Sequence, residues 1–207
     1  MIGTSTTLDV LLKRAGKYQD GTTPTVLPRL SRTHLPGLCH ELGFTRGAEI
    51  GVWKAGYSLQ FCKEAPNMHM LCVDSWAQHD GWDDGKASSQ DKIDEAYLIA
   101  TQVLAEKNAT IVRSFSSDAA AQVPDGSLDF CYIDGNHAYE HVLMDLIDWA
   151  PKVRAGGILA GHDYRIFPEK PYIQVVPAVL AYTAAHQITP WFLTAADRNP
   201  SWMWVVR

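Results

Sequence analysis

From Gly43 onward the chain alternates short apolar runs with longer stretches whose apolar residues recur at helical spacing. Ala48 to Val52, His69 to Asp74, Ala109 to Val112, Leu128 to Asp134 and Ile158 to Ala160 are short, apolar and bounded by turn residues. That is the pattern of strands buried on both faces. Between them lie helical segments. Ser58 to Glu64 ends ahead of Pro66. Asp91 to Lys107 carries Ile93, Ala96, Ala100, Val103 and Leu104 on one stripe, and Ser117 to Val123 is short. Val142, Leu146, Trp149 and Ala150 mark one face of a further helix, after which Gly156-Gly157 turns the chain into the fifth strand. Val175 to His186 reads as a last helix. Ile188 to Leu193 and Trp202 to Val206 read as strands that Asp197-Arg198-Asn199-Pro200 folds into an antiparallel hairpin. Ahead of this, Gly16 to Arg29 is rich in Thr, Gly and Pro and reads as an extended arm, and Thr33 to Leu42 as a short helix closed by Gly43. The expected division is an N-terminal arm and helix over 1–43 and a ligand-binding domain over 44–207.

Strands alternating with helices across short connections predict an α/β fold: a single Rossmann-like, doubly wound, mostly parallel sheet. Ligands of such sheets collect beyond the carboxyl ends of the strands. The segments there are Gly51 to Ser58, Asp74 to Trp76, Ser114 to Asp118, Asp134 to His137 and Gly161 to Tyr164, which hold most of the small, acidic and imidazole groups of this half of the chain.

Composition narrows the partners. The 207 residues are 46% hydrophobic, enough for one full domain, and carry a net charge of −5 without a basic run that could track a phosphate backbone. Nucleic acid is therefore not the expected partner. Cys39, Cys62, Cys72 and Cys131 include no C-x-x-C pair, which suits a reducing compartment. With no apolar stretch of membrane-span or signal-peptide length, the expected location is the cytoplasm, without a membrane partner.

The first strand runs into Glu49-Ile50-Gly51-Val52-Trp53-Lys54-Ala55-Gly56-Tyr57-Ser58. Its glycines allow backbone to approach a ligand, and the following helix N-terminus offers unpaired N–H groups. It lacks the G-x-G-x-x-G spacing of a dinucleotide turn, which counts against a nicotinamide-dependent oxidoreductase, the main rival enzyme class. Asp74 and Ser75 end the second strand, where a carboxylate can accept from both hydroxyls of a ribose. A strand-end cap is the plainer alternative for Asp74. His137 lies three residues beyond Asp134 and has a titration range suited to a general base. His162 and Asp163 follow the fifth strand and can face it. His34, His40, His69, His141 and His186 read as structural. His79, Asp80, Asp83 and Asp84 fit no calcium loop and read as a solvated lid. Trp76, Trp82, Tyr164, Phe167 and Tyr172 either shape an acceptor pocket or simply pack.

The run E-I-G-V-W-K-A-G-Y-S resembles the first motif of class I S-adenosylmethionine-dependent methyltransferases. Asp129 to Tyr164, with Y-I-D-G-x-H-x-Y, D-L-x-x-W-x-P, G-G and G-H-D-Y, resembles a small-molecule O-methyltransferase branch of that class (Methyltransferase-24-like), and S-W-x-W-V-V is similar to its closing strand. The resemblance implies a seven-stranded sheet with its last strand antiparallel, S-adenosylmethionine as cofactor, and O-methylation of a sugar or other polar small molecule. Carried over by position, Glu49 and Gly51 line the methionine end of the cofactor, Gly56, Tyr57 and Ser58 close around it, and Asp74 holds the ribose. Ser116 and Ser117 lie near the adenine, and Asp134 forms the floor of the site. Some relatives bind Mg²⁺ through an Asp after the fourth strand and an acidic pair after the fifth. Asp134 and Asp163 match, but His162 replaces one acid, so the choice between Mg²⁺, a metal tolerant of imidazole and no metal stays open. A nucleic-acid amino-methyltransferase is disfavoured by Asp134-Gly135-Asn136-His137 in place of an (N/D)-P-P-(Y/F) segment. A non-catalytic nucleoside-binding protein is disfavoured by the many polar groups at the sheet edge. A homo-oligomer, with the 16–29 arm reaching a neighbour's site, is left open.

Overall fold

A computed structural model describes residues 6–16, 22–78 and 89–207. His79, Asp80, Trp82, Asp83 and Asp84 of the expected lid, and 17–21 of the expected arm, lie outside the described residues.

The elements in order are α1 (Thr7–Ala15), β1 (Thr25–Leu27), a 3₁₀ turn (Arg32–His34), α2 (Leu35–Glu41), β2 (Arg46–Ile50), α3 (Gly56–Glu64), β3 (His69–Asp74), α4 (Gln90–Leu104) and β4 (Ala109–Arg113). They continue with α5 (Ser116–Ala120), β5 (Leu128–Ile133), α6 (Tyr139–Trp149), a second 3₁₀ turn (Ala150–Lys152), β6 (Val153–Gly161), α7 (Val175–Ala185), β7 (Phe192–Thr194) and β8 (Trp202–Val205). Among the described residues the sheet has eight strands in the order β1-β7-β8-β6-β5-β2-β3-β4. Neighbours are parallel except where β8 runs antiparallel to β6 and to β7, so the 197–200 hairpin forms as expected.

The seven-stranded expectation is corrected to eight. The added strand comes from the stretch read as an extended arm: Thr25 to Leu27 pairs with Phe192 to Thr194, and the Thr25 N–H donates to the Trp191 carbonyl at 2.7 Å. The run is short, and the Thr, Gly and Pro around it hide its ladder signal. The fifth parallel strand also begins earlier than expected, at Val153. Gly156 and Gly157 lie inside it at an irregularity in the pairing with β5 rather than in a turn before it. At Gly157 a Cβ would stand 2.6 Å from the Asp129 carbonyl oxygen, so the close approach of β5 requires glycine there.

Every residue of β5 is buried, and from Phe130 to Ile133, beyond the pairing irregularity, alternate side chains feed opposite layers. Phe130 and Tyr132 join Leu11, Leu38, Phe61, Ile93 and Ala96 of α1 to α4 on one face. Leu128, Cys131 and Ile133 join Ala119, Val142, Leu146, Trp149 and Val179 of α5 to α7 on the other. Two buried faces explain why the strands read as continuous apolar runs. Among the described residues no helix is long and apolar enough to cross a membrane.

Strand order reverses between β2 and β5, which lie side by side while their successors β3 and β6 depart in opposite directions. The crevice of a doubly wound sheet opens at that point.

Candidate active site

Gly51 and Asp134 leave β2 and β5 together at the reversal point. The Asp134 N–H donates to the Ile50 carbonyl at 2.7 Å, and the Gly51 N–H to that of Val73 at 2.9 Å. Gly51 has φ +91°, and a Cβ on it would stand 2.2 Å from the Asp134 carbonyl oxygen. The chain beyond it turns through left-handed conformations at Trp53 and Ala55 before entering α3. Ala55 supplies no side-chain cap, so the first N–H groups of α3 point unpaired from the helix end, as any uncapped first turn must.

These turns bound a cleft of about 840 Å³, within the range of small-molecule sites. Glu49, Gly51, Gly56, Tyr57, Asp74, Ser75, Ser116, Ser117, Asp134, His137, His162 and Asp163 line it. Ser58 does not; it is fully buried and its hydroxyl donates to Glu49 Oε2.

The Asp74 carboxylate shapes the loops around it. Oδ2 accepts from the Val52 and Trp53 N–H groups, both at 2.9 Å, and Oδ1 from the Trp76 N–H at 2.9 Å. Each carboxylate oxygen can accept about two hydrogen bonds, so Oδ1 retains capacity toward the cleft. Asp74 is thus a loop-organising cap as well as a cleft residue. Trp76 is buried, with its indole N–H donating to the Trp53 carbonyl at 2.9 Å. Ser116 and Ser117 spend their hydroxyls on α6: Ser116 donates to Asp145 and accepts from the Trp149 indole at 2.8 Å, and Ser117 donates to Asp148.

On the other side of the cleft, His137 Nε2 lies 3.4 Å from both Asp134 Oδ1 and Asp163 Oδ2. His162 Nδ1 lies 3.2 Å from Asp163 Oδ1 and 3.6 Å from Asp134 Oδ1. Asp163 adopts φ +53°, a conformation that Asp tolerates better than most residues. Burial works against ionisation of Asp163, but hydrogen bonding and charge from His162, with His137 and Asn199, outweigh it and bring its carboxyl down to about 2. Asp134, His162 and Asp163 present one ligand atom each within 4.8 Å of one another, a separation that a divalent ion could bridge. The imidazole in that set disfavours Mg²⁺, which prefers oxygen.

Several cleft residues escaped the sequence reading. Arg32 enters from the 3₁₀ turn ahead of α2, with NH2 at 3.2 Å from Asp134 Oδ2 and its guanidinium 4.3 Å over the Tyr57 ring. Asn199, from the β7–β8 connection, donates to Asp163 Oδ1 at 2.9 Å. Asp145 stands within the D-L-x-x-W run on α6, which carried the resemblance without a role for this carboxylate. His141, read as structural, also lines the cleft. Nothing local marks Arg32 or Asn199, because long-range packing alone brings them in. Tyr164, Phe167 and Tyr172 are not among the lining residues; Tyr164 packs edge-on against Trp191.

Burial pushes the Glu49 carboxyl up to about 8, against the opposing hydrogen bond from Ser58. Burial likewise raises Asp145 to about 7, against the hydrogen bond from Ser116. Unfolded, both groups ionise near pH ~4. Between about pH 4 and 8 the unfolded chain therefore binds fewer protons than the folded one, and the stability of the ligand-free protein falls as pH rises. The urea midpoint is expected to drop between about pH 5 and pH 8, and Glu49→Gln to remove much of that drop. A wild-type midpoint that rises over this range would show Glu49 ionised in the fold.

A doubly wound sheet with a carboxylate at the end of β3 and a glycine turn after β2 is an arrangement shared with nucleoside-binding sheets. Residues 48–164 match the family described as a methyltransferase domain, and the chain belongs to that family. No curated protein is significantly similar to it. Among solved structures, the O-methyltransferase from Bacillus cereus, in complex with SAH, is 14% identical with a TM-score of 0.62, over 100% of this chain and 93% of that one. A provisionally assigned O-methyltransferase from Klebsiella pneumoniae is also 14% identical with a TM-score of 0.62, over 100% and 93%. A provisionally assigned caffeoyl-CoA O-methyltransferase from Staphylococcus aureus is 15% identical with a TM-score of 0.59, over 97% and 92%. At these identities the likeness is one of fold.

Proposed function

We propose that the protein transfers the methyl group of S-adenosylmethionine to a hydroxyl of a polar small molecule. The observation that carries this reading is one continuous cleft. It joins a nucleoside-type half at Asp74 and the α3 N-terminus to a half where His137 and His162 stand between Asp134 and Asp163. The SAH in the Bacillus cereus structure supports the choice of cofactor.

The chain's own groups then divide the work. The uncapped N–H groups of Gly56 to Ser58 receive the cofactor carboxylate, where a helix N-terminus favours negative charge. Glu49, ionising when a cation arrives, faces the ammonium. Oδ1 of Asp74 accepts from one ribose hydroxyl, and Oδ2 keeps the β2–α3 loop in place. The adenine lies against α5, near Asp145. Sulfonium chemistry makes the methyl carbon electrophilic, so the protein's task is to align the acceptor and take its proton. Both imidazoles lie against Asp134 and Asp163, but His162 also lies 3.5 Å from the Arg32 guanidinium, whose charge opposes a proton there. His137 is therefore the base, and Asp134 and Asp163 orient it and stabilise the imidazolium. The divalent ion that some relatives use would fall to Asp134, His162 and Asp163, where it would lower the pKa of the acceptor hydroxyl. The acidic net charge favours a small acceptor over nucleic acid, and four free thiols suit a cytoplasmic enzyme.

The test is release of S-adenosylhomocysteine from S-adenosylmethionine against a panel of sugars, other hydroxylated compounds and amines. Turnover confined to hydroxyl acceptors is expected; turnover on amines alone would contradict O-methylation. Asp74→Asn is expected to raise KM for S-adenosylmethionine about 10- to 100-fold, with a smaller change in kcat.

A further inference from the structure

Both oxygens of Asp134 are already engaged. Oδ1 faces His137 at 3.4 Å and His162 at 3.6 Å, and Oδ2 faces NH2 of Arg32 at 3.2 Å. Arg32 is held in that position along its whole length. Its backbone N–H donates to Asp197 Oδ2 at 2.6 Å, and its carbonyl accepts from the Tyr57 hydroxyl at 2.8 Å. The guanidinium lies 4.3 Å from the Tyr57 ring centroid and 5.5 Å from that of Tyr132. NH1 lies 3.5 Å from the His162 ring nitrogens. With 25% of its side chain exposed, the group opens onto the cleft. Aromatic faces hold such a planar cation without using its N–H donors.

Charge at this centre is nearly balanced by the chain itself. Asp134 and Asp163 bring two negative charges and Arg32 one positive, and a bound sulfonium cofactor offsets the remainder. A divalent ion on Asp134, His162 and Asp163 would meet a carboxylate whose second oxygen is paired, beside a fixed positive charge. Resting on the methyl-transfer reading above, we propose that Arg32 is the resident cation of the transfer site and binds the acceptor oxygen as that oxygen loses its proton. The hydroxyl proton passes to imidazole, and the oxygen lone pair forms the bond to the methyl carbon. The carbon–sulfur bond breaks with its electrons onto sulfur, and guanidinium N–H groups hold the oxygen throughout, as preorganised donors do in other transfer sites. Arg32 and a divalent ion are then competitors for Asp134.

Mn²⁺ alone, followed by electron paramagnetic resonance on the full chain without cofactor, reads this competition apart from activity. The wild type is expected to bind Mn²⁺ only in the millimolar range, and Arg32→Met to bind it at least tenfold tighter. Wild-type methyl transfer should be indifferent to EDTA, fall about 100-fold in Arg32→Met and recover partly when Mn²⁺ is added to that variant. Micromolar Mn²⁺ binding by the wild type, or EDTA-sensitive transfer, would overturn the proposal, and these two wild-type measurements decide it even if Arg32→Met fails to fold. Titration with S-adenosylhomocysteine separates the two readings. No binding would sink the methyl-transfer function itself, while normal binding with the wrong Mn²⁺ pattern would sink only the role of Arg32.

Discussion

Replacing Asp134 with asparagine should lower turnover about 1,000-fold while changing the affinity for S-adenosylhomocysteine less than tenfold. Asparagine keeps the volume and one oxygen acceptor but removes the charge. Three groups lose that charge at once: Arg32 at 3.2 Å, His137 at 3.4 Å and His162 at 3.6 Å. His137 loses one of the two carboxylates that stabilise it when protonated, and Arg32 loses its partner and its aim. The half of the cleft proposed for the nucleoside rests instead on Asp74 and its backbone donors. Single-turnover methyl transfer at saturating cofactor isolates the chemical step. A loss under tenfold there would reduce Asp134 to a structural role.

The second large effect is expected at Gly51. Its φ of +91° is unfavourable to any side chain, and an added Cβ would lie 2.2 Å from the Asp134 carbonyl oxygen and 2.6 Å from Gly135 Cα. The contact is between backbones at the strand-order reversal, and relief requires β2 and β5 to separate where they frame the cleft. Gly51→Ala should therefore cost about 2–4 kcal/mol of stability. It should also weaken S-adenosylhomocysteine binding by more than the stability loss predicts, because the glycine turn itself moves. Chemical denaturation together with ligand titration measures both. Gly43→Ala serves as the comparison: Gly43 also has positive φ, +70°, but nothing lies near its added Cβ, so strain without a clash should cost only about 1–2 kcal/mol. Equal losses in the two variants would contradict the close-approach argument.

The parallel core was legible because burial on both faces writes itself into sequence. Leu128 to Ile133 feeds two layers at once and so shows no polar alternation. The carboxyl-end rule then placed Asp74, Asp134, His137, His162 and Asp163 along one cleft. What was not legible depends on tertiary contact. β1 is three residues long and is a strand only because Phe192 to Thr194 lies beside it. Arg32 is 102 positions before Asp134 in the chain and meets it because Asp197 and Tyr57 fix its backbone. The motif places Ser58 at the start of α3, but nothing local shows that its hydroxyl turns inward to Glu49. Asn199 reaches Asp163 only because β8 lies beside β6.

The most direct measurement is calorimetric titration of the wild-type protein with S-adenosylhomocysteine, with NAD⁺ as the comparison ligand. The cleft around Asp74, Glu49 and the α3 N-terminus predicts micromolar binding of S-adenosylhomocysteine at one site per chain, and silence with NAD⁺. Binding of NAD⁺ with no heat from S-adenosylhomocysteine would contradict the proposed cofactor and reaction, and turn the same cleft into that of a dinucleotide enzyme.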